Sequence, residues 1–298
     1  MGVLLLALCS PAAHAAVVTV VLSEDSAPYQ ETADAFEAAM GPEHTVIRVL
    51  ADKLPISDSA LSRAKLLVTV GVRATELIAG NSVKTPVLSV LVTEDWYRKQ
   101  GRERLSAGGR TGGAVVLEQP FLRQLRLIRS AFPNISKVGV VVGRKNADSL
   151  AELRVQAESQ GMTLVGAVAE SESNLVATLG QVLMEADLLL ALPDSEVLNR
   201  NTVQSVLMTT YRYRDPVVGY SKALSRAGAL VSLYSTPQQI GRQAGEIAAR
   251  AVNGGPKLSG MQWPKYFSVS VNGYVARSLG IDVPSEETLL NELKGTND

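Results

Sequence analysis

Short runs of β-branched and aliphatic residues alternate with longer stretches of helical periodicity along most of the chain. Val17–Leu22 (VVTVVL) predicts a first buried strand. Over Ala27–Met40 the residues Tyr29, Ala33, Phe36 and Met40 recur at helical spacing. Thr45–Leu50 predicts a second strand, Ser57–Ala64 a helix, and Leu66–Val70 (LLVTV) a third strand ending at Gly71. Ala74–Ala79 reads as a helix and Pro86–Leu91 as a fourth strand. The pattern then breaks: Trp96–Arg110 is polar and basic and carries a Gly-Gly pair, which predicts a surface loop.

Gly113–Leu117 predicts a strand running into Gln119-Pro120, where the chain is expected to cross into a second half. There the alternation restarts. Helices are expected over Phe121–Phe132, Ser149–Gln160, Asn174–Met184, Asn201–Tyr211 and Pro237–Asn253. Gly161 suits the end of the second of these, because glycine tolerates the left-handed conformation that closes a helix. Strands are expected over Val138–Val142, Thr163–Val168, Leu188–Leu192, Pro216–Tyr220, Ala229–Tyr234 and Tyr266–Val271, with a short helix and a charged tail to follow. Continuous apolar strands separated by helices imply an α/β protein whose parallel sheets are covered on both faces. The two halves match in element order and not in sequence.

The first fifteen residues stand apart. Val3–Leu8 is an apolar run, Pro11 follows, and Ala13-His14-Ala15 fits the small-residue pattern of a cleavage site. These features predict a secretory signal, with cleavage placing the mature start at Ala16. No Lys or Arg follows Met1, so the true start is expected further upstream. The apolar run is far short of the roughly 20 residues needed to span a bilayer. Cys9, the single cysteine, offers a second reading as a lipid-anchor residue, but Leu8 precedes it where a small residue is usual. Either way the mature chain lacks the thiols for disulfides, thiol catalysis or thiolate metal sites.

Charge narrows the partners. Lys plus Arg equals Asp plus Glu at 29 each. No basic excess is present to neutralise phosphates, so no nucleic-acid partner is expected. Hydrophobic residues make up 46% and aromatics 5% of the 298 residues, which suits a well-buried α/β protein of two ordinary domains.

Candidate site residues follow from the rule that open α/β sheets bind ligands beyond the carboxyl ends of their strands. After the first strand these are Ser26 and Tyr29, with Ser23 beside them. After the third they are Gly71, Val72, Arg73 and Ala74, a strand-to-helix turn whose free N–H groups suit an anion such as a carboxylate. Thr93 follows the fourth strand. In the second half the rule selects Asn146, Asp194, Asn199, Tyr220 and Ser221. Asp194 has two readings: a partner for a ligand ammonium through charge-assisted hydrogen bonds, or a helix cap. Asn199 has the same two. Tyr220 is either an aromatic wall for an amphipathic solute or a packed core edge. Trp96 either stacks on a planar ligand or anchors the loop after it.

Several segments together resemble one family. They are LLVTVGVRAT (66–75), QPFLRQLRLIRSAFPNISKVGVVVG (119–143), ESESNLVATL (170–179), LLLALPDSEVLNRNTVQSVLMTTYRYRDPVVGYS (188–221), AGALVSLYSTPQQIGRQAGEIA (227–248) and FSVSVNGYVARSLGIDVP (267–284). The chain resembles the substrate-binding proteins of ABC transporters with the type I periplasmic-binding fold, including the tryptophan-binding kind. That resemblance implies two Rossmann-like lobes, 16–117 plus 236–262 and 118–235 plus 263–298, joined by a hinge and closing over a solute. It further implies a monomeric periplasmic protein that hands its solute to a membrane ABC permease. A membrane sensor protein is the alternative partner. Relatives often carry a hydroxyl residue where this chain has Val72, which leaves the backbone rather than a side chain as the donor there. A zwitterion such as an amino acid would then meet donors at Gly71–Ala74 and Asp194 with Tyr220-Ser221 opposite.

Enzyme chemistry finds little footing. Gly219-Tyr-Ser221-Lys-Ala223 imitates the nucleophile elbow of an exported serine hydrolase, but alanine replaces its last glycine. The two histidines, His14 and His44, both precede Ser221, against the order of such triads. Ser62-Arg-Ala-Lys65 fits a loose Ser-x-x-Lys pattern without its companion motifs. Gly108–Gly113 lacks phosphate-loop spacing. One mature histidine cannot supply a transition-metal cluster. No cofactor is expected, and binding without chemistry is the economical reading.

Overall fold

The computed structural model describes residues 15–54 and 61–295. The expected signal with Cys9, and the first half of the helix expected over 57–64, lie outside the described residues. The chain divides into two compact units, Met1–Val116 with Pro237–Gln262 and Leu117–Thr236 with Trp263–Asp298, here lobe 1 and lobe 2.

The strands in chain order are β1 (Val17–Leu22), β2 (Thr45–Leu50), β3 (Leu66–Val70), β4 (Val87–Val92) and β5 (Gly112–Val116) in lobe 1. Lobe 2 contributes β6 (Lys137–Gly143), β7 (Thr163–Ala169), β8 (Leu188–Leu190), β9 (Val217–Gly219) and β10 (Val231–Tyr234). The chain then returns to lobe 1 for β11 (Gly260–Gln262) and ends in lobe 2 with β12 (Ser268–Val271). The two sheets have the same plan. Lobe 1 runs β11-β5-β4-β3-β1-β2 and is parallel throughout. Lobe 2 runs β12-β10-β9-β8-β6-β7 and is parallel except for its β12 edge. In each lobe the strand order reverses beside the first strand, at β1/β3 and at β6/β8. Such a reversal separates the connecting loops and opens a crevice at the carboxyl ends.

Burial explains why these runs are strands. Val18, Val20 and Leu22 of β1 pack with Phe36 and Met40 of helix Ala27–Met40 and with Ile240, Ala244 and Ile247 of helix Pro237–Val252. In β6, Val138, Val140 and Val142 join one core with Leu125 and Ile128, while Val141 points into a second core with Leu175 and Leu179. Alternate residues of one strand therefore serve opposite faces, as a doubly covered sheet requires.

Helix Pro237–Val252 completes lobe 1 after the chain has built most of lobe 2. It lies so close to helix Ala27–Met40 that a Cβ on Gly245 would come 2.6 Å from both the Phe36 carbonyl and the Ala39 Cβ. A Cβ on Gly241 would run into the Thr32 carbonyl. Two glycines one turn apart let the backbones touch.

One expectation is corrected. Trp96–Arg110 is helical for most of its length, built from Glu94–Trp96, a π-helical turn Tyr97–Gly101 and Arg102–Ser106. Trp96 is buried and its ring lies over Gly101, so it anchors this segment. Arg110, at its end, is 4% exposed. Its guanidinium donates to the carbonyls of Ile78 (3.0 Å), Val83 (3.3 Å), Ala79 (3.3 Å) and Arg104 (3.2 Å). Burial lowers its pKa, and four carbonyl acceptors, two of them at the end of helix Val72–Ala79, stand in for a counter-ion. Periodicity failed here because the segment's polar side chains face solvent around a few buried anchors. The short helix Lys222–Ala227 and strand β11 were also not anticipated.

Gly241→Ala is expected to lower stability by about 1–3 kcal/mol in urea unfolding, since overpacking outweighs the up to ~1 kcal/mol gained from better helix propensity. A net gain in stability would show that the two helices do not pack backbone to backbone.

Candidate functional site

In lobe 1 the loops after β1 and β3 are tied to each other. Ser23, directly after β1, is 4% exposed and accepts a 2.9 Å hydrogen bond from the Ala74 N–H. Ala74 belongs to the first turn of helix Val72–Ala79, where N–H groups have no partner within the helix. Gly71 makes the turn possible. Its φ is 91°, and a Cβ there would come 2.6 Å from Ser23 Oγ and 2.7 Å from Tyr29 Cε1. Beneath the turn, Thr75 Oγ1 donates to the Gly71 carbonyl at 2.9 Å and lies 2.8 Å from Thr69 Oγ1 and 2.7 Å from Ser89 Oγ. This buried hydroxyl cluster braces the turn from the core side.

The bracing leaves two donors. Among the described residues, none accepts from the N–H of Val72 or of Arg73, the first two residues of the helix. A helix N-terminus with unoccupied N–H groups favours an anion. The Arg73 side chain is exposed and ion-paired with Asp52, so it does not close over the turn. Tyr29 packs against the lobe 1 core, and burial, then the charge of Glu24, raises its phenol pKa. Ser26 precedes helix Ala27–Met40 without its side chain capping it, which leaves the hydroxyl uncommitted. Thr93 caps the next segment by accepting from the Trp96 N–H at 3.2 Å. It follows an irregularity in β4, where Leu91 adopts φ 53° between the paired residues Val90 and Val92.

In lobe 2 the loops after β6 and β8 are tied by a carboxylate. Asp194 Oδ2 accepts from the Gly143 N–H at 2.7 Å and from Asn146 Nδ2 at 2.9 Å, and Oδ1 accepts from the Glu196 N–H at 2.9 Å. Glu196 reinforces the tie by accepting from the Lys145 N–H at 3.1 Å and pairing with the Lys145 ammonium at 3.2 Å. These contacts hold the Glu196 carboxyl below its usual pKa. Asp194 is 4% exposed. Three of its about four lone-pair positions are used by the protein itself. Asp194 does not cap a helix, because the residues that follow form turns before helix Val203–Tyr213.

The remaining candidates divide. Asn199 accepts from the Asn201 N–H (2.8 Å) and the Thr202 N–H (3.2 Å) and donates to the Ser195 carbonyl (3.1 Å), so its amide closes its own loop. Ser221 caps helix Lys222–Ala227 by accepting from the Leu224 N–H at 3.1 Å. Tyr220 is half-buried against the core, and burial, then the charge of Asp194, raises its phenol pKa. The structure thus joins Ser23, Tyr29, Gly71 and Ala74 in lobe 1, and Asn146 and Asp194 in lobe 2. The strand-end rule reaches Ser23 but not the buried Thr75 and Ser89 hydroxyls that brace the turn from beneath. A hydroxyl set among apolar residues was the available signal. Among the described residues no group of three His, Cys, Asp or Glu side chains could hold a metal, and no helix is long and apolar enough to cross a membrane.

Ser23→Ala is expected to cost about 0.5–2 kcal/mol in chemical denaturation, the usual worth of a side chain that satisfies a helix N-terminal donor. Asp194→Asn is expected to cost about 1–3 kcal/mol, because an amide nitrogen or a neutral oxygen replaces a charged acceptor of two backbone N–H groups. Wild-type stability in both variants would mean that the ties do not hold the loops.

Comparison with known proteins agrees with this architecture. No curated protein matches the chain. Solved structures do. A ligand-free, open substrate-binding protein with adhesive properties from Clostridium difficile matches with a TM-score of 0.71 at 16% identity, covering 91% of this chain and 97% of that one. A conserved domain protein from Vibrio cholerae matches with a TM-score of 0.57 at 22% identity, covering 93% and 98%. An ABC domain from Streptococcus pneumoniae, in complex with L-Trp, matches with a TM-score of 0.57 at 16% identity over the same shares. These likenesses show the fold, two α/β lobes of the type I periplasmic-binding kind. The family model described as ABC transporter substrate binding protein matches residues 60–293, most of the chain, and the protein belongs to that family.

Proposed function

We propose that this protein is an exported receptor that captures one small organic solute, an amino acid or a close relative, between its two lobes and delivers it to an ABC permease without altering it. The observation that carries this reading is the pair of open N–H groups on Val72 and Arg73, held at a strand-order reversal by the Ser23 tie. They suit a carboxylate. Ser26, with its free hydroxyl, and Tyr29 flank the seat, and Thr93 borders it from the next strand. On lobe 2, Asn146 and the Tyr220 edge meet the rest of the solute, while Asp194 positions the loops that present them. Asn199 and Ser221 shape their own loops and act on the solute through backbone placement. The serine-hydrolase alternative has less support, since both histidines precede Ser221 in the chain and its hydroxyl already accepts from the Leu224 N–H.

The test is a thermal-shift screen of the chain from Ala16 onward against amino acids, small carboxylates, nucleosides and purines, beginning with the aromatic amino acids. A solute that binds only the folded state stabilises it by about 2.7 kcal/mol at a hundred times its Kd. A saturable rise in Tm with a carboxylate-bearing class is expected. Val72→Pro then removes one proposed donor at a helix position that tolerates proline. It is expected to leave the fold intact and to weaken the solute by about tenfold, the worth of one charge-assisted hydrogen bond. Full affinity in Val72→Pro, or a panel without any shift, would contradict the carboxylate seat.

A further inference from the structure

Lobe 2 has a cavity of about 500 Å³ that the solute reading does not use. It lies at the amino ends of the strands, where Asp215 leads into β9 and Gly228 leads towards β10. The carboxyl-end loops that carry Asn146 and Asp194 are at the other end of the sheet. Leu207, Met208 and Tyr211 of helix Val203–Tyr213 form one wall, and Val275 and Leu279 of helix Gly273–Leu279 another. Met208 and Tyr211 are 51% and 57% exposed, a poor placement for apolar groups that serve only packing.

Asp215 is the one acid in the lining. Its Oδ2 is buried and has no hydrogen-bond partner, and among the described residues none pairs with the carboxyl group. Native proteins rarely leave a buried polar oxygen unmatched, because its lost hydration is not replaced. Burial, then the charge of Asp187, pushes its pKa up to about 6. Its charged neighbours do not relieve it: Arg214, next to it in the chain, is exposed and makes no ion pair with it among the described residues. Asp187 has the same sign and accepts from the N–H groups of Ser136 and Lys137. Arg212 also lines the cavity but is exposed and makes no ion pair with Asp215 among the described residues.

We propose that this cavity is a second binding site, for a small organic ammonium whose apolar body lies between the two helices and whose N–H groups bond Asp215. The volume falls within the roughly 300–1,000 Å³ typical of small-molecule sites. An ammonium supplies both the hydrogen bond and the charge that the carboxylate lacks. The Tyr211 ring on the wall adds a face that attracts cations. The site belongs to lobe 2 alone and is independent of the solute seat.

Phenethylamine is a suitable probe, with 2-phenylethanol as its neutral counterpart. Each is titrated into the chain from Ala16 onward at neutral pH and followed by amide NMR spectra. Saturable shifts are expected around Leu207, Tyr211 and Leu279, with the alcohol weaker by about tenfold or more. Asp215→Asn is expected to lose that advantage of the amine and to bind both compounds alike. Leu207→Trp, which fills the cavity, is expected to abolish both. Val72→Pro is expected to bind phenethylamine as wild type does, which separates this site from the solute seat. Unchanged amine affinity in Asp215→Asn, no saturable shift at millimolar probe, or shifts confined to the loops around Gly71 and Asn146 would each overturn the proposal.

Discussion

A strand-order reversal in a parallel sheet forces two neighbouring loops to part, and something must hold their ends in place. In this protein the fastening is a hydrogen bond from a backbone N–H to a buried side-chain oxygen: Ala74 to Ser23 in lobe 1 and Gly143 to Asp194 in lobe 2. The polarity is exchanged between lobes. The acceptor follows the first strand in lobe 1 and the third strand in lobe 2. The same problem, set by the same sheet order, has been met by a neutral hydroxyl in one half and a carboxylate in the other. The carboxylate carries more hydrogen bonds, since it also gathers Asn146 and Glu196. The donor groups near each reversal are held before any ligand arrives, which lowers the ordering cost that binding must overcome.

The glycine at position 71 shows how closely fold and site are joined. Its positive φ turns the chain from strand to helix, and its missing Cβ lets Ser23 and Tyr29 close in. Ser23 occupies the Ala74 donor, and the Val72 and Arg73 donors stay open. Val72 carries no hydroxyl, so what this turn can offer a ligand is its backbone N–H groups.

Much of this was legible in the sequence, for physical reasons that also explain the failures. VVTVVL and LLVTV are strands with both faces buried, so apolar continuity announced them, and strand-end geometry then pointed to Gly71 and Asp194. What the Asp194 side chain does was not legible. A carboxylate after a strand looks the same whether it faces a ligand ammonium or the N–H of Gly143, fifty-one residues earlier in the chain. Arg110 misled for a similar reason: a cation in a polar stretch reads as solvated, and only its four carbonyl acceptors, three of them some thirty residues away, make it interior. Local pattern shows which face of an element is apolar. It does not show which distant backbone group a polar side chain will meet.

A solute held by the tied loops at the strand-order reversals would shield their amides. Amide hydrogen exchange on the chain from Ala16 onward, with and without a saturating solute, reads this out. New protection is expected at Val72 and Arg73 in lobe 1 and over residues 143–146 in lobe 2, with the sheet cores unchanged. Protection that bypasses both reversals while the solute remains bound would rule out the tied loops as the solute seat.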